Sequence, residues 1–302
     1  MYDIIIIGAG PAGMTAALYS LRANKSVLLI EKRAFGGQIT YSPKVENYPG
    51  FEQISGNDFS MKLHDQIVKL GAEFAIDVAL SVEDNGDNKT VVCKNNRYEC
   101  RAVIFATGAD HRRLNVPGEN DFLGKGVSYC AVCDGTFYTN KITAVVGGGN
   151  SALQEAIYLS DICQKVYLIH RRANFRADNF LVDKLSNINN ITVIKNSEIY
   201  EITGESAVGN VGVLNKLSGI KTQIPVNGVF ISIGLAPQNE AFSGLVQLDE
   251  SGHAEVDDEC TAKGGIYVAG DCRKKSVYQL TTAIGDGATA AVNACRYIDN
   301  TL

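Results

Sequence analysis

Two stretches of this chain are copies of one design. Ile4–Arg33 (IIIIGAGPAGMTAALYSLRANKSVLLIEKR) and Thr143–Arg172 (TAVVGGGNSALQEAIYLSDICQKVYLIHRR) align at a shift of 139 residues. The shift carries Gly8 onto Gly147, Gly10 onto Gly149, Gly13 onto Ala152 and Glu31 onto His170. Each copy reads as an apolar, β-branched run, a glycine turn, a helix-period segment and a second apolar run. Parallel strands covered on both faces show as continuous apolar runs rather than alternating ones, so each copy predicts a βαβ unit. A shorter echo, Val103–Gly108 (VIFATG) and Val229–Gly234 (VFISIG), supplies one further strand to each. The fold class expected is therefore α/β, with two Rossmann-like dinucleotide-binding domains in one polypeptide. The 302 residues leave room for two domains at about 150 each.

The uncharged stretch Ile4–Leu21 is long enough to raise the question of a membrane span or a secretory leader. Asp3 precedes it where a leader would carry basic residues, and Gly8, Gly10, Pro11 and Gly13 interrupt it where a membrane helix would be continuous. It reads as strand, turn and helix. The expectation is a cytoplasmic protein with no membrane partner, its thiols mostly reduced. With 28 Lys and Arg against 33 Asp and Glu, a net charge of −5 and no basic tract, nucleic acid is excluded as a main partner.

The coarse order along the chain follows from the same signals. Residues 34–57 read as loop, punctuated by Gly and Pro. Residues 58–71 read as a helix from Asp58 as N-cap to Gly71 as stop. Residues 74–105 read as short strands with a turn at Asn85–Gly86, residues 110–125 as a crossover, and 141–235 as the second unit. Residues 264–302 return to a strand (Gly265–Ala269), a loop and a final helix over about Thr281–Ile298.

The first glycine turn, Gly8-Ala-Gly10-Pro-Ala-Gly13, follows a strand and opens a helix. Its first glycine makes the tight turn, its second admits a pyrophosphate, and its third lets helix and strand pack closely. The helix N-terminus offers unpaired N–H groups to phosphate. Glu31, at the end of the next strand, stands where a carboxylate binds ribose hydroxyls. The turn alone does not separate FAD from NAD. The second turn, Gly147-Gly-Gly149-Asn-Ser-Ala152, repeats the device, but its far end carries His170-Arg171-Arg172, with Arg176 shortly after. Arginines pair with a 2′-phosphate where a carboxylate would repel it, so the second site is expected to prefer NADPH to NADH.

Cys130-Ala-Val-Cys133 is followed by Asp134-Gly135. Two cysteines at this spacing can close a small disulfide and reopen it by thiolate exchange. Zinc would need two more ligands at matching spacing; there is no second CxxC, and His64, His111, His170 and His253 form no HxxxH pair, so no metal site is expected. A redox dithiol is the favoured reading, beside that of an inert cysteine pair. Asp134 is placed to exchange protons with a dithiol, and equally to serve as the turn residue before Gly135. The remaining cysteines (Cys93, Cys100, Cys163, Cys260, Cys272, Cys295) read as small buried hydrophobes. Cys272 adjoins Asp271 in the loop after the strand expected over Gly265–Ala269.

Taken in order, GAGPAG at 8–13, GGQ at 36–38, VENYPG at 45–50, ATG at 106–108, CAVCDG at 130–135, GGGNSA at 147–152, HRRANFRA at 170–177 and AGD at 269–271 make the chain resemble the low-molecular-weight thioredoxin reductases of bacteria over essentially its full length. The resemblance implies an enzyme passing electrons from NADPH through FAD to a Cys130–Cys133 disulfide and on to thioredoxin. It implies FAD binding by Gly8, Gly10, Gly13, Glu31, Gly36, Gly37, Gln38, Asn47, Asp271 and Gln279. It implies NADPH binding by Gly149, Asn150, Ser151, His170, Arg171, Arg172 and Arg176. By the same resemblance the FAD domain is discontinuous (1–111 and 244–302), the NADPH domain (112–243) is inserted in it, and the protein is a homodimer. The NADPH domain of the family rotates, Cys133 faces the flavin, Cys130 attacks thioredoxin, and Asp134 is the acid and base.

Three positions depart from the family pattern. Tyr278-Gln279 stands where many relatives have Arg-Gln, Thr136-Phe137-Tyr138 where many have two aromatics before Tyr, and Pro237-Gln238 where Pro-Asn is common. The alternative is a related flavoprotein with another donor, ferredoxin or reduced flavin, or another dithiol acceptor. A ferredoxin–NADP⁺ reductase without a dithiol fits CAVCDG poorly, and a nucleotide sensor without catalysis fits two complete glycine turns poorly.

Overall fold

A computed structural model describes residues 1–42, 44–239, 242 and 244–301. The chain divides into two compact units, Met1–Asp110 with Leu235–Leu302, and His111–Gly234. It starts with β1 (Tyr2–Ile7), α1 (Pro11–Arg22), β2 (Val27–Glu31), α2 (Gly56–Lys69), β3 (Glu73–Ile76), β4 (Ala79–Asp84), β5 (Lys89–Cys93) and β6 (Arg97–Phe105). Ile4–Ile7 are buried on both sides of the strand, which requires β1 to be an inner strand. It lies parallel between β2 and β6, with Ile5 opposite both Leu28 and Val103.

The chain crosses out through β7 (Ala109–His111). The second unit holds β8 (Val127–Ser128), α3 (Ala131–Asp134), β9 (Ile142–Gly147), α4 (Asn150–Ser160), β10 (Lys165–Ile169), α5 (Asn179–Ser186) and β11 (Ile191–Ile194). An antiparallel meander, β12 (Ser197–Gly204), β13 (Val208–Asn215) and β14 (Lys221–Pro225), precedes β15 (Gly228–Ser232). Its parallel sheet runs β11-β10-β9-β15-β8. Here β9 takes the place of β1: Val145 lies opposite Leu168 of β10 and Phe230 of β15. The shorter sequence echo thus occupies one topological slot in both units, beside the strand that leads into the glycine turn.

The chain returns through β16 (Leu235–Pro237), which pairs with β7. Residues 238 and 239 run with the first unit: the Gln238 N–H donates to the Gly108 carbonyl at 3.2 Å, and the buried Asn239 side chain bonds Thr107 at 3.1 Å and the Cys272 carbonyl at 2.7 Å. Then β17 (Thr261–Lys263) and β18 (Ile266–Val268) complete the first sheet, Tyr267 lying opposite Ile104 of β6, and α6 (Leu280–Asn300) ends the fold. One face of this sheet packs Ile4, Ile6, Val27 and Leu29 under Met14, Ala16 and Ala17 of α1 and Ala290, Ala291 and Ala294 of α6. The other face packs Ile5, Ile7, Leu28, Ile30, Val103 and Phe105 with Val82 and Val91 of the β4–β5 hairpin. In each unit helices cover one face of the parallel sheet and antiparallel strands cover the other, β4–β5 in the first and β12–β13 in the second, which is the Rossmann-like α/β arrangement expected.

The local differences from the sequence reading have physical reasons. The start of α2 is set by Ser55 rather than Asp58: the Ser55 hydroxyl oxygen accepts the Asp58 N–H at 3.0 Å and its O–H donates to the Asp58 carboxylate at 2.7 Å. Both residue types cap helices well, and their reciprocal pairing fixes the boundary at the serine. The loop expected over 34–57 contains a 3₁₀ turn, Gly37–Tyr41. The six remaining cysteines are all buried. Among the described residues no helix is long and apolar enough to cross a membrane, and no group of three or more His, Cys, Asp or Glu could hold a metal ion.

Candidate active site

The first glycine turn follows β1. Gly8 has φ +107°, and a Cβ added there would stand 2.2 Å from the Ala106 carbonyl oxygen; one added at Gly13 would stand 1.9 Å from that of Gly8. Only glycine lets the turn nest between the end of β6 and α1. Gly10 is the N-cap of α1 and provides no side-chain bond, so the amides of that first turn have no side-chain partner. The Glu31 carboxylate, at the end of β2, accepts the Ala9 N–H at 2.9 Å and the Arg33 N–H at 3.0 Å. Gly36 donates its N–H to the Ala9 carbonyl at 2.7 Å, which draws Gly36, Gly37 and Gln38 against the turn. The Gln38 amide bonds the Ala109 carbonyl, and Asn47 donates to the Gln279 side chain at 3.1 Å. Asp271 follows β18, and Ala269 donates to the Phe105 carbonyl at 2.8 Å, so its loop stands at the carboxyl ends of the same parallel strands. That edge is where open α/β sheets bind ligands. Uncapped amides at a glycine turn, with a carboxylate beside them, fit a dinucleotide.

The second turn is built differently. Gly149 caps α4, again without a side-chain bond. Asn150 and Asp178 hold each other twice: the Asn150 amide donates to the Asp178 carboxylate at 2.9 Å, and the Asp178 N–H donates to the Asn150 side-chain oxygen at 2.8 Å. The loop after β10 folds back on the turn, with the Arg176 N–H donating to the Gly148 carbonyl at 2.7 Å. His170 is buried. Its Nε2 lies 2.9 Å from the Asn174 carbonyl oxygen, and a Cβ on Gly148 would collide with its ring at 2.1 Å. The basic cluster of the sequence thus divides. The His170 ring props the turn, while Arg171, Arg172 and Arg176 are exposed, as is Ser151 at the start of α4. Three exposed guanidinium groups beside uncapped amides fit a dinucleotide carrying an extra phosphate.

The cysteine pair spans the start of α3, just after β8. Cys130 and Cys133 form a disulfide with their Cα atoms 5.3 Å apart. Cys130 is the N-cap of α3, and its sulfur accepts the Cys133 N–H at 3.2 Å. Asp134 closes the same helical turn. One carboxylate oxygen accepts the Ser128 hydroxyl at 2.6 Å; the other is buried without a hydrogen-bond partner. Burial pushes the Asp134 carboxyl above its ordinary range, and the Ser128 hydroxyl opposes that in part. A carboxyl raised in this way holds a proton closer to neutral pH, as an acid and base for thiol chemistry must.

Glu155, a residue that the sequence did not single out, belongs to the same neighbourhood. On α4 it accepts the Ala131 N–H at 3.5 Å and the Ser232 hydroxyl, and burial pushes its carboxyl upward. The available signal was its position: Ala152, Glu155, Ala156 and Leu159 share one stripe of α4, and the other three are fully buried.

The family described as pyridine nucleotide-disulphide oxidoreductase matches residues 2–287. The chain is 45% identical to a thioredoxin reductase of Listeria innocua, over 99% of this chain and 94% of that protein. It is 43% identical to a thioredoxin reductase of Bacillus subtilis, over 99% and 95% respectively. Among solved structures, the thioredoxin reductase of Streptococcus pyogenes aligns with a TM-score of 0.95 at 42% identity, covering 99% of both chains.

Proposed function

This chain belongs to the pyridine nucleotide-disulphide oxidoreductase family, and from that premise we propose that it is a thioredoxin reductase with FAD and NADPH as cofactors. The observation that carries the reading is the Cys130–Cys133 disulfide with the buried Asp134 carboxyl on the same helical turn. The two cofactors, when bound, pass the electron pair of the NADPH hydride to that disulfide. We assign FAD to the first unit, Met1–Asp110 with Leu235–Leu302, through Gly8, Gly10, Gly13, Glu31, Gly36, Gly37, Gln38, Asn47, Asp271 and Gln279. NADPH falls to the second unit, His111–Gly234, through Gly149, Asn150, Ser151, Arg171, Arg172 and Arg176, with His170 as the prop beneath them.

The chain's own chemistry then follows. The Cys130 thiolate attacks one sulfur of the thioredoxin disulfide, forming a mixed disulfide and releasing a thiolate. Cys133 attacks the Cys130 sulfur, frees the second thioredoxin thiol and restores the Cys130–Cys133 bond. Asp134 gives a proton to the departing thiolate and takes one up when the dithiol re-forms its disulfide, with Ser128 orienting its carboxyl. Val132, about half exposed between the cysteines, offers the partner an apolar contact. The protein is a cytoplasmic homodimer acting on a protein disulfide, with neither membrane nor nucleic acid as partner.

The test is Cys130→Ser. NADPH is still expected to bleach the flavin absorbance of this variant, while thioredoxin reduction disappears. Full turnover by the variant would refute the assignment. A flavin in the wild-type protein that ferredoxin or reduced flavin bleaches and NADPH does not would favour the related enzyme with another donor.

A further inference from the structure

We propose that Lys275 and Asp286 act as a positioning clamp for the dinucleotide site of the first unit, an inference that rests on the assignment of FAD to that unit. The loop after β18 runs Ala269-Gly270-Asp271-Cys272-Arg273-Lys274-Lys275. Asp286, on α6, gathers it from three sides. Its carboxylate accepts the Gly270 N–H at 3.1 Å, the Arg273 guanidinium at 3.0 Å and the Lys275 ammonium at 3.1 Å. Lys275 also stands 3.0 Å from Asp271 Oδ1 and 3.4 Å from the Thr282 hydroxyl. Two carboxylates and two cations thus form one neutral cluster. Lys275, Asp286 and Arg273 have side chains only 11–14% exposed, whereas Asp271 is 37% exposed.

The division of labour within the cluster carries the inference. The Gly270 and Arg273 bonds to Asp286 already anchor the loop to α6. The contact between Lys275 and Asp271 joins two residues of one loop, so it adds little to that anchorage. What it does fix is the direction of the one carboxylate in the cluster that reaches solvent. With an ammonium holding Oδ1, Asp271 presents a pre-oriented acceptor to hydroxyl groups of the dinucleotide, which lowers the ordering cost of binding. Tyr278 closes the far side: its ring centroid lies 5.6 Å from the Lys275 ammonium, and its hydroxyl oxygen accepts the Lys275 N–H at 3.4 Å. The tyrosine found here in place of the common arginine keeps a further cation away from a charge-balanced loop.

The experiment uses the full chain stripped of FAD, as wild type, Lys275→Met, Lys275→Arg and Asp286→Asn. FAD is titrated back and followed by flavin fluorescence, and thermal unfolding of each stripped chain is followed by circular dichroism. Losing one charged partner is expected to weaken FAD binding by roughly 10-fold or more in Lys275→Met, with the unfolding midpoint of the stripped chain close to wild type. Lys275→Arg should recover most of the affinity. Asp286→Asn should weaken FAD binding and also lower the midpoint, because it leaves Arg273 without its carboxylate. The clamp is overturned if Lys275→Met binds FAD as the wild type does. It is equally overturned if the loss of affinity comes with a matching loss of midpoint that arginine does not repair. If the wild-type chain itself takes up no FAD, the cofactor assignment fails as well.

Discussion

The two strand–turn–helix–strand copies place the same elements in the same order and finish them with opposite chemistry. In the first, Glu31 ends β2 and its carboxylate turns back to hold the Ala9 N–H at the glycine turn. In the second, the His170 ring fills the notch over Gly148, and exposed arginines follow it. Both turns are braced from the same topological position, one by a carboxylate and the other by a packed ring. The third turn residue differs as well: a methyl at Gly13 would run into the Gly8 carbonyl, whereas the second copy accommodates Ala152. On the proposed assignment, topology sets where a dinucleotide lies, and the residues ending the second strand decide which one is accepted.

The largest expected effect comes from chemistry that only the second unit carries. Asp134→Asn should lower the thioredoxin turnover number by about 10²–10⁴-fold while NADPH still bleaches the flavin, as stopped-flow absorbance would show. A turnover within a few-fold of wild type would leave Asp134 as a turn residue. The same variant has a stability signature. The folded-state pKa of Asp134 is raised, so the native state holds its proton more tightly than the unfolded chain does. Stability is then lost as pH rises from the ordinary aspartate range through the raised folded value. Asp134→Asn should remove that loss and be more stable than wild type at pH 7, with a smaller gain near pH 4, measured by thermal unfolding at both values.

The next effect sets the two third-turn positions against each other. Gly13→Ala should cost about 1–3 kcal/mol and release FAD, because the new methyl meets a carbonyl oxygen on a buried turn. Ala152→Gly should cost only about 1 kcal/mol, the helix-propensity difference, and leave NADPH binding in place. Equal costs would mean that the two turns are packed alike. Replacing both Arg171 and Arg172 by Gln should raise the KM for NADPH by about 10–100-fold and leave that for NADH nearly unchanged. Equal losses for the two nucleotides would remove the 2′-phosphate assignment. The smallest effect is Ser55→Ala, at about 1 kcal/mol, from loss of the α2 cap in the first unit. In the second unit the Asp178 carboxylate is committed to Asn150, so Asp178→Ala should disturb NADPH binding more than α5.

Much of the fold was legible because buried parallel strands leave continuous apolar runs and glycine turns leave spacings. Ile4–Ile7, Val103–Phe105 and Val229–Ile231 announce inner strands by that signature alone. Ser55 and Asp58 were ambiguous because either can cap a helix, and only their mutual bonds choose. By charge pattern His170 belongs to a basic cluster; its burial depends on Gly148, a neighbour that charge patterns do not reveal. Glu155 leaves no signal in the sequence because a carboxylate in a helix usually faces water, and its two partners, Ala131 and Ser232, come from distant segments. Asp286 and Lys275 are hidden for the same reason: the helix and the loop that they join meet only once β18 is in the sheet.

The most direct test of the central claim is an anaerobic titration of the wild-type protein with NADPH, with flavin absorbance as the signal and oxidised thioredoxin added afterwards. The flavin is expected to take up one equivalent and the Cys130–Cys133 disulfide a second, and the flavin band then to recover as thioredoxin is reduced, with NADH far less effective. A flavin that NADPH bleaches but thioredoxin does not reoxidise would contradict it.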